Sequence, residues 1–189
     1  GASPVTIANM AWALATARAR VGNEALNAIC DMATASLHSF KAHELSITLW
    51  AFARLGCCQD GCHRDRLFAG AATLLRRSAA LRGAIHSQGI ANILWAFARH
   101  MEVCHHGDPA MFSMVLIELL PICQHLLPSL SPVEISSVIG ALAKLSPSLG
   151  QTPAVDCLLA SAAEGLVSSP ALLARLPRHG VPDLLAAYP

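Results

Sequence analysis

The amino-acid sequence predicts an all-α fold, a right-handed α-solenoid of about four helix-turn-helix repeats and a partial fifth. The main observation is a recurring segment, because ELSITLWAFARLG at Glu44–Gly56 returns as GIANILWAFARH at Gly89–His100. Weaker copies lie at Thr6–Ala17 and Glu134–Leu145, and a partial copy lies at Val181–Tyr188. Copies spaced roughly 20–50 residues apart are typical of solenoids, since each unit is too small to bury its own apolar face.

The copies share one register. Trp12, Trp50, Trp95, Gly140 and Ala186 are equivalent, with steps of 38, 45, 45 and 46 residues. We call this the tryptophan position and count the other positions from it. The register predicts a single domain over 1–189, whose repeats cover about 3–40, 41–85, 86–130, 131–176 and, in part, 177–189.

Composition narrows the class of protein. Apolar residues make up 54% of the chain and charged residues 13%. Even the most apolar region, Met111–Leu127, contains Glu118 and Pro121, and no uninterrupted apolar run reaches the roughly 18 residues of a membrane helix. We therefore expect no transmembrane segment. The net charge of +1 gives no general attraction to nucleic acid, and seven cysteines without regular pairing indicate reduced thiols.

Each repeat is expected to contain a helix A, a short turn and a helix B. Ser3-Pro4 and Ser131-Pro132 supply a hydroxyl N-cap and a proline at the first helical position, and Glu134 completes a capping box. Pro121 is expected to kink or end the third B helix. The expected B helices and a short helix after them are Asn23–Ser39, Arg64–Leu81, Pro109–Leu127, Pro153–Val167 and Ala171–Leu176.

Two stripes divide each A helix. Apolar residues recur five and one residues before the tryptophan position and two after it, which is helical spacing for a core face. We expect the tryptophans to pack in this core as well. The second stripe lies three residues before, one residue after and four residues after the tryptophan position. Its last position holds a ladder of cations, Arg54, Arg99 and Lys144. It predicts either a binding surface or the solvated side of amphipathic helices.

Two further groups of side chains carry possible chemistry. Five arginines around the second B helix indicate either contacts to phosphates or acidic partners, or a solvated face. The A–B turns of the second and third repeats hold metal-capable residues, but zinc requires four ligands and the spacing contains no CxxC pair. We expect no cofactor, with a zinc site as the alternative interpretation. These residues are Cys57, Cys58, Cys62, His63, Cys104, His105 and His106.

Signatures of enzymes are missing from the sequence. It contains no GxxxxGK[ST] loop, no GxGxxG after a strand, no GxSxG elbow and no HExxH motif. The 12 acidic residues are scattered, and no pair of carboxylates stands in a catalytic frame. We therefore expect a protein that binds rather than an enzyme, without a small-molecule substrate.

The repeated core, best seen in Ile90–Arg99 as IANILWAFAR, resembles the octotricopeptide-type helical repeat and the related repeats of RAP-domain proteins. The resemblance implies an α-solenoid in a chloroplast or mitochondrion, on the matrix or stroma side. It also implies binding of organellar RNA for maturation, translation or ribosome assembly. It further implies that exposed polar positions of helix A contact RNA, which here are Asn9, Thr16, Ser46, Arg54, Asn92, Arg99, Ser136, Ser137 and Lys144.

The expected function is thus binding of single-stranded organellar RNA or rRNA through the A helices. The alternative is a non-catalytic structural subunit of a large organellar complex, such as a mitoribosome or a photosynthetic or respiratory assembly. Low charge and high apolar content favour this alternative, in which the B helices form the protein-binding surface. Candidate residues for that surface are Met111, Phe112, Met114 and Val115.

Overall fold

The computed structural model describes residues 2–19, 21–56, 62–103, 109–149 and 153–167. Every regular element within these ranges is helical, so the predicted all-α class is confirmed. The partial fifth repeat and the short helix predicted at Ala171–Leu176 lie outside the described residues. The α-helices are α1 Pro4–Ala17, α2 Asn23–Ser36, α3 Ala42–Leu55, α4 Cys62–Arg77, α5 Ala79–Gly83, α6 Ser87–Val103, α7 Pro109–Leu126, α8 Pro132–Leu149 and α9 Pro153–Val167.

Capping residues define where the A helices begin. Ser3 accepts a hydrogen bond from the backbone N–H of Thr6 at 3.2 Å, as expected for an N-cap before a proline. At the start of α8, the backbone N–H of Ser131 donates to Glu134 at 2.6 Å and that of Glu134 donates back at 3.4 Å. The capping box predicted from the sequence is therefore confirmed.

The second B helix is shorter than predicted, because the chain breaks it at Ser78. This residue is extended, and its hydroxyl caps the five-residue helix α5 by accepting from the N–H of Leu81 at 3.1 Å. The Arg82 guanidinium donates back to the carbonyls of Leu75 and Arg76 at 2.6 and 2.7 Å, which satisfies the end of α4. The same guanidinium lies 2.9 Å from Glu118 on α7. Arg82 is thus part of the scaffold.

Pro121 does not end the third B helix, which continues to Leu126. Pro121 itself is exposed, while Leu119, Leu120 and Cys123 around it are buried. Packing of these side chains offsets the loss of one backbone hydrogen bond at the proline. Burial also raises the pKa of the Cys123 thiol to about 12, so this cysteine stays a neutral core residue.

The helices form two layers. The A helices contact one another in the order α1, α3, α6, α8, and the B helices do so in the order α2, α4, α7, α9. The core lies between the layers, and it includes the apolar positions five and one residues before the tryptophan position and two after it, except the partly exposed Leu14. The two inner A helices, α3 and α6, therefore have an A helix of the adjacent repeat on each flank.

An aromatic cluster fills the centre of this core. Phe68 of α4 stacks on His100 of α6 with ring centroids 4.0 Å apart and an interplanar angle of 6°. Phe97 and Phe112 complete the cluster, at 5.3 Å from each other. His100 is fully buried, and burial together with the Arg64 charge lowers its pKa to about 4 despite the opposing effect of Asp65. His100 is therefore neutral at physiological pH.

Among the described residues, one helix is long and apolar enough to cross a membrane by length and composition alone. The stretch covers Phe112–Ser129, within α7 and the 3-10 turn that follows it, and a third of it is buried inside the protein. Core helices of soluble proteins pass the same test. The burial of Leu116, Leu119 and Cys123 gives this helix a packing role in the fold.

Candidate functional site

Solvent reaches one continuous side of the A helices, which we call the A-helix face. It consists of three columns, located three residues before the tryptophan position, at it and four after it. Residues spaced by three, four and seven lie on one side of a helix, so the columns are adjacent. The members are Asn9, Ile47, Asn92 and Ser137, then Trp12, Trp50 and Trp95, then Thr16, Arg54, Arg99 and Lys144.

The prediction that the tryptophans pack in the core is wrong for Trp12 and only partly confirmed for Trp50 and Trp95. Trp12 has 49% of its surface exposed, and Trp50 and Trp95 are partly exposed while packing against the edge of the core. The Trp50 and Trp95 rings of successive repeats lie 6.4 Å apart at an angle of 40°. The indoles therefore form a row along the A-helix face, which the sequence interpretation missed. The available signal was their helical spacing to the cations four residues later.

The alanines one residue after the tryptophan position do not belong to this face, contrary to the predicted stripe. Ala51 and Ala96 are fully buried and Ala141 is nearly so. Only Ala13 of α1 is exposed, and within the described chain α1 contacts an A helix on one side only. This column thus faces the A helix of the preceding repeat, where small side chains permit close helix packing.

Arg54 lies where two repeats meet. Its Nε donates to the carbonyl of Ala15 in α1 at 3.3 Å, and its guanidinium carbon lies 5.2 Å from the Trp50 ring centroid. The second contact is a cation–π interaction. Arg54 also lines a shallow cavity together with Arg18, so the first repeat places a cation near the ladder although it has Thr16 at the ladder position itself. Two guanidinium groups therefore border one opening.

Arg99 and Lys144 converge on one carboxylate. The Oε2 atom of Glu102 lies 3.0 Å from Arg99 Nη1, and its Oε1 atom lies 2.8 Å from Lys144 Nζ. Burial alone raises the pKa of Glu102, but the hydrogen bonds from Lys144 and Arg99 outweigh it and hold the pKa below its usual range. Cations from successive repeats thus already hold an anionic group between them.

The predicted short polar residues divide into two groups. Asn9 and Thr16 are exposed and Asn92 and Ser137 are partly exposed, all on the A-helix face. Ser46 and Ser136, in contrast, are only 1% and 6% exposed. They lie four residues before the tryptophan position, in a column that is buried in all four repeats. Ser46 donates to the carbonyl of His43 at 2.9 Å, so its hydroxyl already has a partner within its own helix.

The metal candidates fall mostly outside the described residues, which exclude Cys57, Cys58, Cys104, His105 and His106. Cys62 is exposed, and His63 contacts Asp31 of α2 through its Nδ1 atom at 2.7 Å. Across the described ranges, no three His, Cys, Asp or Glu side chains are grouped as metal ligands. Within the described part of the chain, Cys30, Cys62, Cys123 and Cys157 form no disulfide.

The candidate protein-binding surface on α7 is also divided. Phe112 and Val115 are buried at 2% and 1%, which contradicts their assignment to a surface, because they point into the core of the protein. Met114 is 45% exposed. Ile117, which the prediction did not include, is 55% exposed. The side chain of Met111 lies outside the described part of the chain.

The A-helix face thus combines partly exposed indoles, cations and short polar groups. Its chemistry suits a flat or anionic ligand that runs across successive repeats. Comparison with known proteins adds no identification, because no protein-family model, curated protein or solved structure matches this chain.

Proposed function

We propose that this chain is a right-handed α-solenoid of about four helix-turn-helix repeats and a partial fifth that binds single-stranded RNA along its A-helix face. The order of helix contacts supports the solenoid, because each layer grows by one neighbour per repeat. The ligand in this proposal is organellar RNA or rRNA in a chloroplast or mitochondrion. Binding there serves RNA maturation, translation or ribosome assembly, without catalysis by this chain.

The observation that carries the proposal is the alignment of cations with an aromatic row on the open side of the A helices. Arg54, Arg99 and Lys144 come from three successive repeats at one position. Proteins that bind single-stranded nucleic acid combine cations along the phosphate backbone with aromatic platforms. In helical-repeat proteins that read RNA, each repeat contacts about one base through two or three side chains.

The geometry around Glu102 supports the same ligand chemistry. Two cations of adjacent repeats hold its carboxylate at 3.0 and 2.8 Å, which is the distance range of charge-assisted hydrogen bonds. A phosphate offers the same type of anionic oxygen. In the proposed complex, a backbone phosphate takes part of this coordination and Glu102 moves aside.

The experiment is a titration of fluorescein-labelled single-stranded RNA, followed by anisotropy at several salt concentrations. Replacing Arg54, Arg99 and Lys144 together by Ala is expected to weaken binding by at least about tenfold. The slope of log K against log salt should fall by about 2, since each phosphate contact on a single strand contributes about 0.7. Unchanged affinity and slope would contradict the proposal.

A matched control removes the same amount of charge from the other layer. Arg66, Arg76 and Arg77 are exposed on α4, and their replacement by Ala lowers the net charge equally. This variant is expected to retain most of the affinity. If both triple variants lose affinity equally, binding depends on total charge and not on the A-helix face.

A second candidate function is a structural subunit of a large organellar complex held by protein contacts. The exposure of Met114 and Ile117 on α7 favours it, because large apolar side chains in a neighbouring pair are suited to a protein partner. Density-gradient sedimentation of organelle lysate with and without RNase separates the candidates. A heavy fraction that RNase leaves intact supports the structural subunit, whereas a shift to light fractions supports RNA as the ligand.

A further inference from the structure

We infer that the row of Trp12, Trp50 and Trp95 is a stacking platform for the bases of the single strand. This inference rests on the proposed function and adds the part of the ligand that the cations do not recognise. The sequence interpretation assigned phosphates to the cations and base edges to Asn and Ser side chains. It assigned the indoles to core packing, whereas the structure leaves Trp12 49% exposed and Trp50 and Trp95 partly exposed at the edge of the core.

The exposure of the indoles is the first argument. A tryptophan that served only to pack the solenoid would be covered, because its large apolar surface is costly to leave in water. Trp12 instead leaves 49% of its surface exposed, the largest exposure of an aromatic side chain in the described core-forming helices. Its two equivalents are partly exposed in the same column. The three indoles share one column of the A-helix face, and those of Trp50 and Trp95 are in contact.

The second argument is charge complementarity. Each indole has the ladder position one helical turn later, and at Trp50 and Trp95 that position holds an arginine. A base lying on an indole therefore places its phosphate within reach of a cation. Apolar protein partners do not require this pairing, whereas single-stranded nucleic acid does, since every nucleotide carries both a flat base and a negative charge.

The contacts of the row determine how bases bind. The Trp50 and Trp95 rings are within the 4.5–7 Å range of aromatic pairs in contact. A base consequently lies on the exposed side of this pair and does not insert between the rings. The Arg54 guanidinium lies over the Trp50 ring, so a base on this indole stacks beside that guanidinium. The row ends at Gly140, which has no side chain to offer, so stacking covers the first three repeats.

The chain itself provides the probe for the experiment, because its three tryptophans are all in this row. Tryptophan emission is recorded while an oligoadenylate is added, and anisotropy of the labelled oligonucleotide is followed in parallel. We expect quenching of the emission that saturates at the same RNA concentration as the anisotropy. An oligonucleotide with the same backbone but abasic residues should bind at least about tenfold more weakly and leave the emission unchanged.

Variants at Trp12 test stacking with little risk to the fold, since this residue is the most exposed of the three. Trp12→Leu keeps an apolar side chain but removes the aromatic ring, and it should weaken binding about tenfold. Trp12→Phe should restore most of the affinity. Ile117→Ala on the opposite layer is the matched control and should bind like the unmodified chain.

The outcomes separate this inference from the proposed function. If RNA binds by anisotropy while the emission is unchanged and Trp12→Leu binds normally, the platform is wrong and the cationic ladder alone is retained. If abasic and normal oligonucleotides bind equally, the platform is likewise wrong. If no oligonucleotide binds at all, both the platform and the proposed function fail.

Discussion

Glu102 is the residue whose charge most directly opposes the proposed ligand. It occupies Arg99 and Lys144 with one carboxylate, so two of the three ladder cations are neutralised in part. Glu102→Gln is expected to raise RNA affinity on the order of fivefold at low salt and to steepen the salt dependence. Anisotropy titrations at two salt concentrations measure both quantities.

The control for this prediction is Glu24→Gln, which changes the net charge equally at an exposed position of α2. It should leave the affinity nearly unchanged. An equal gain in both variants would mean that only net charge matters. A loss of affinity in Glu102→Gln would mean that the carboxylate positions the cations for binding and does not compete with the RNA.

Helical geometry explains why the exposure of the tryptophans could not be predicted from the sequence. At about 100° per residue, the positions three before and four after the tryptophan lie about 20° apart. The tryptophan lies about 50° to one side of the midline between those two positions, and the alanine that follows it lies about 50° to the other side. Periodicity therefore cannot decide which of the two is exposed. Close packing between repeats decides it, because Ala51 and Ala96 fit between helices and an indole does not.

The buried serines have the same explanation. Ser46 and Ser136 stand in a column occupied elsewhere by Ala8 and Ala91, and all four residues are buried. A serine at this place acts as a small residue that permits close approach of helices. Its polarity suggested exposure, but its hydroxyl can bond within its own helix, as that of Ser46 does. In this column, side-chain volume therefore predicts burial better than polarity does.

At the scale of elements, the sequence predicted helix existence well and some helix ends poorly. The capping serines and the prolines after them determined the starts of α1 and α8. The end of α4 was not predictable from periodicity, since it depends on Ser78 and on Arg82 reaching back to two carbonyls. These are contacts between residues several positions apart, and a hydrophobic pattern does not report them.

Two equivalent helix ends provide a test at this scale. Gly56 ends α3 with φ of 67°, and Arg18 ends α1 with φ of 50° at the same position of the repeat. A left-handed conformation is easy for glycine and strained for other residues. Arg18→Gly should therefore raise the free energy of unfolding by roughly 0.5–1 kcal/mol, and Gly56→Ala should lower it by about 1 kcal/mol.

Urea denaturation followed by circular dichroism measures both changes. Gly22 has an extended conformation at the start of α2 and open space around it, so Gly22→Ala is the control for adding a methyl group. It is expected to change stability by less than Gly56→Ala does. Equal effects at the two glycines would contradict the role of the left-handed conformation.

At the scale of the whole molecule, the two layers meet at the aromatic cluster around His100. His100 belongs to α6 in the layer of A helices. Its imidazole stacks on Phe68 and contacts Phe112, which both come from the layer of B helices. Its burial connects the protonation of one side chain to the stability of the entire core. Burial holds its pKa at about 4, below the 6.5 of an unperturbed histidine.

The sign of the resulting pH dependence follows from linkage. Because the unfolded chain takes up the proton more readily, the contribution of His100 is fully present above about pH 6.5 and is lost as the pH falls toward 4. Between pH 7 and pH 5 the free energy of unfolding should fall by about 2 kcal/mol from this group alone. Ordinary carboxylates titrate mostly below this interval, so their effect on it is smaller.

Urea denaturation at pH 7, 6 and 5 measures this loss in the unmodified chain and in His100→Phe. The variant keeps an aromatic ring against Phe68 and removes the titrating group, so its stability should change much less over the same interval. His38→Phe, at an exposed position after α2, is the control and should retain the pH dependence of the unmodified chain. If His100→Phe loses stability toward pH 5 as steeply as the unmodified chain, the acid sensitivity arises elsewhere and the aromatic cluster does not link protonation to the stability of the two layers.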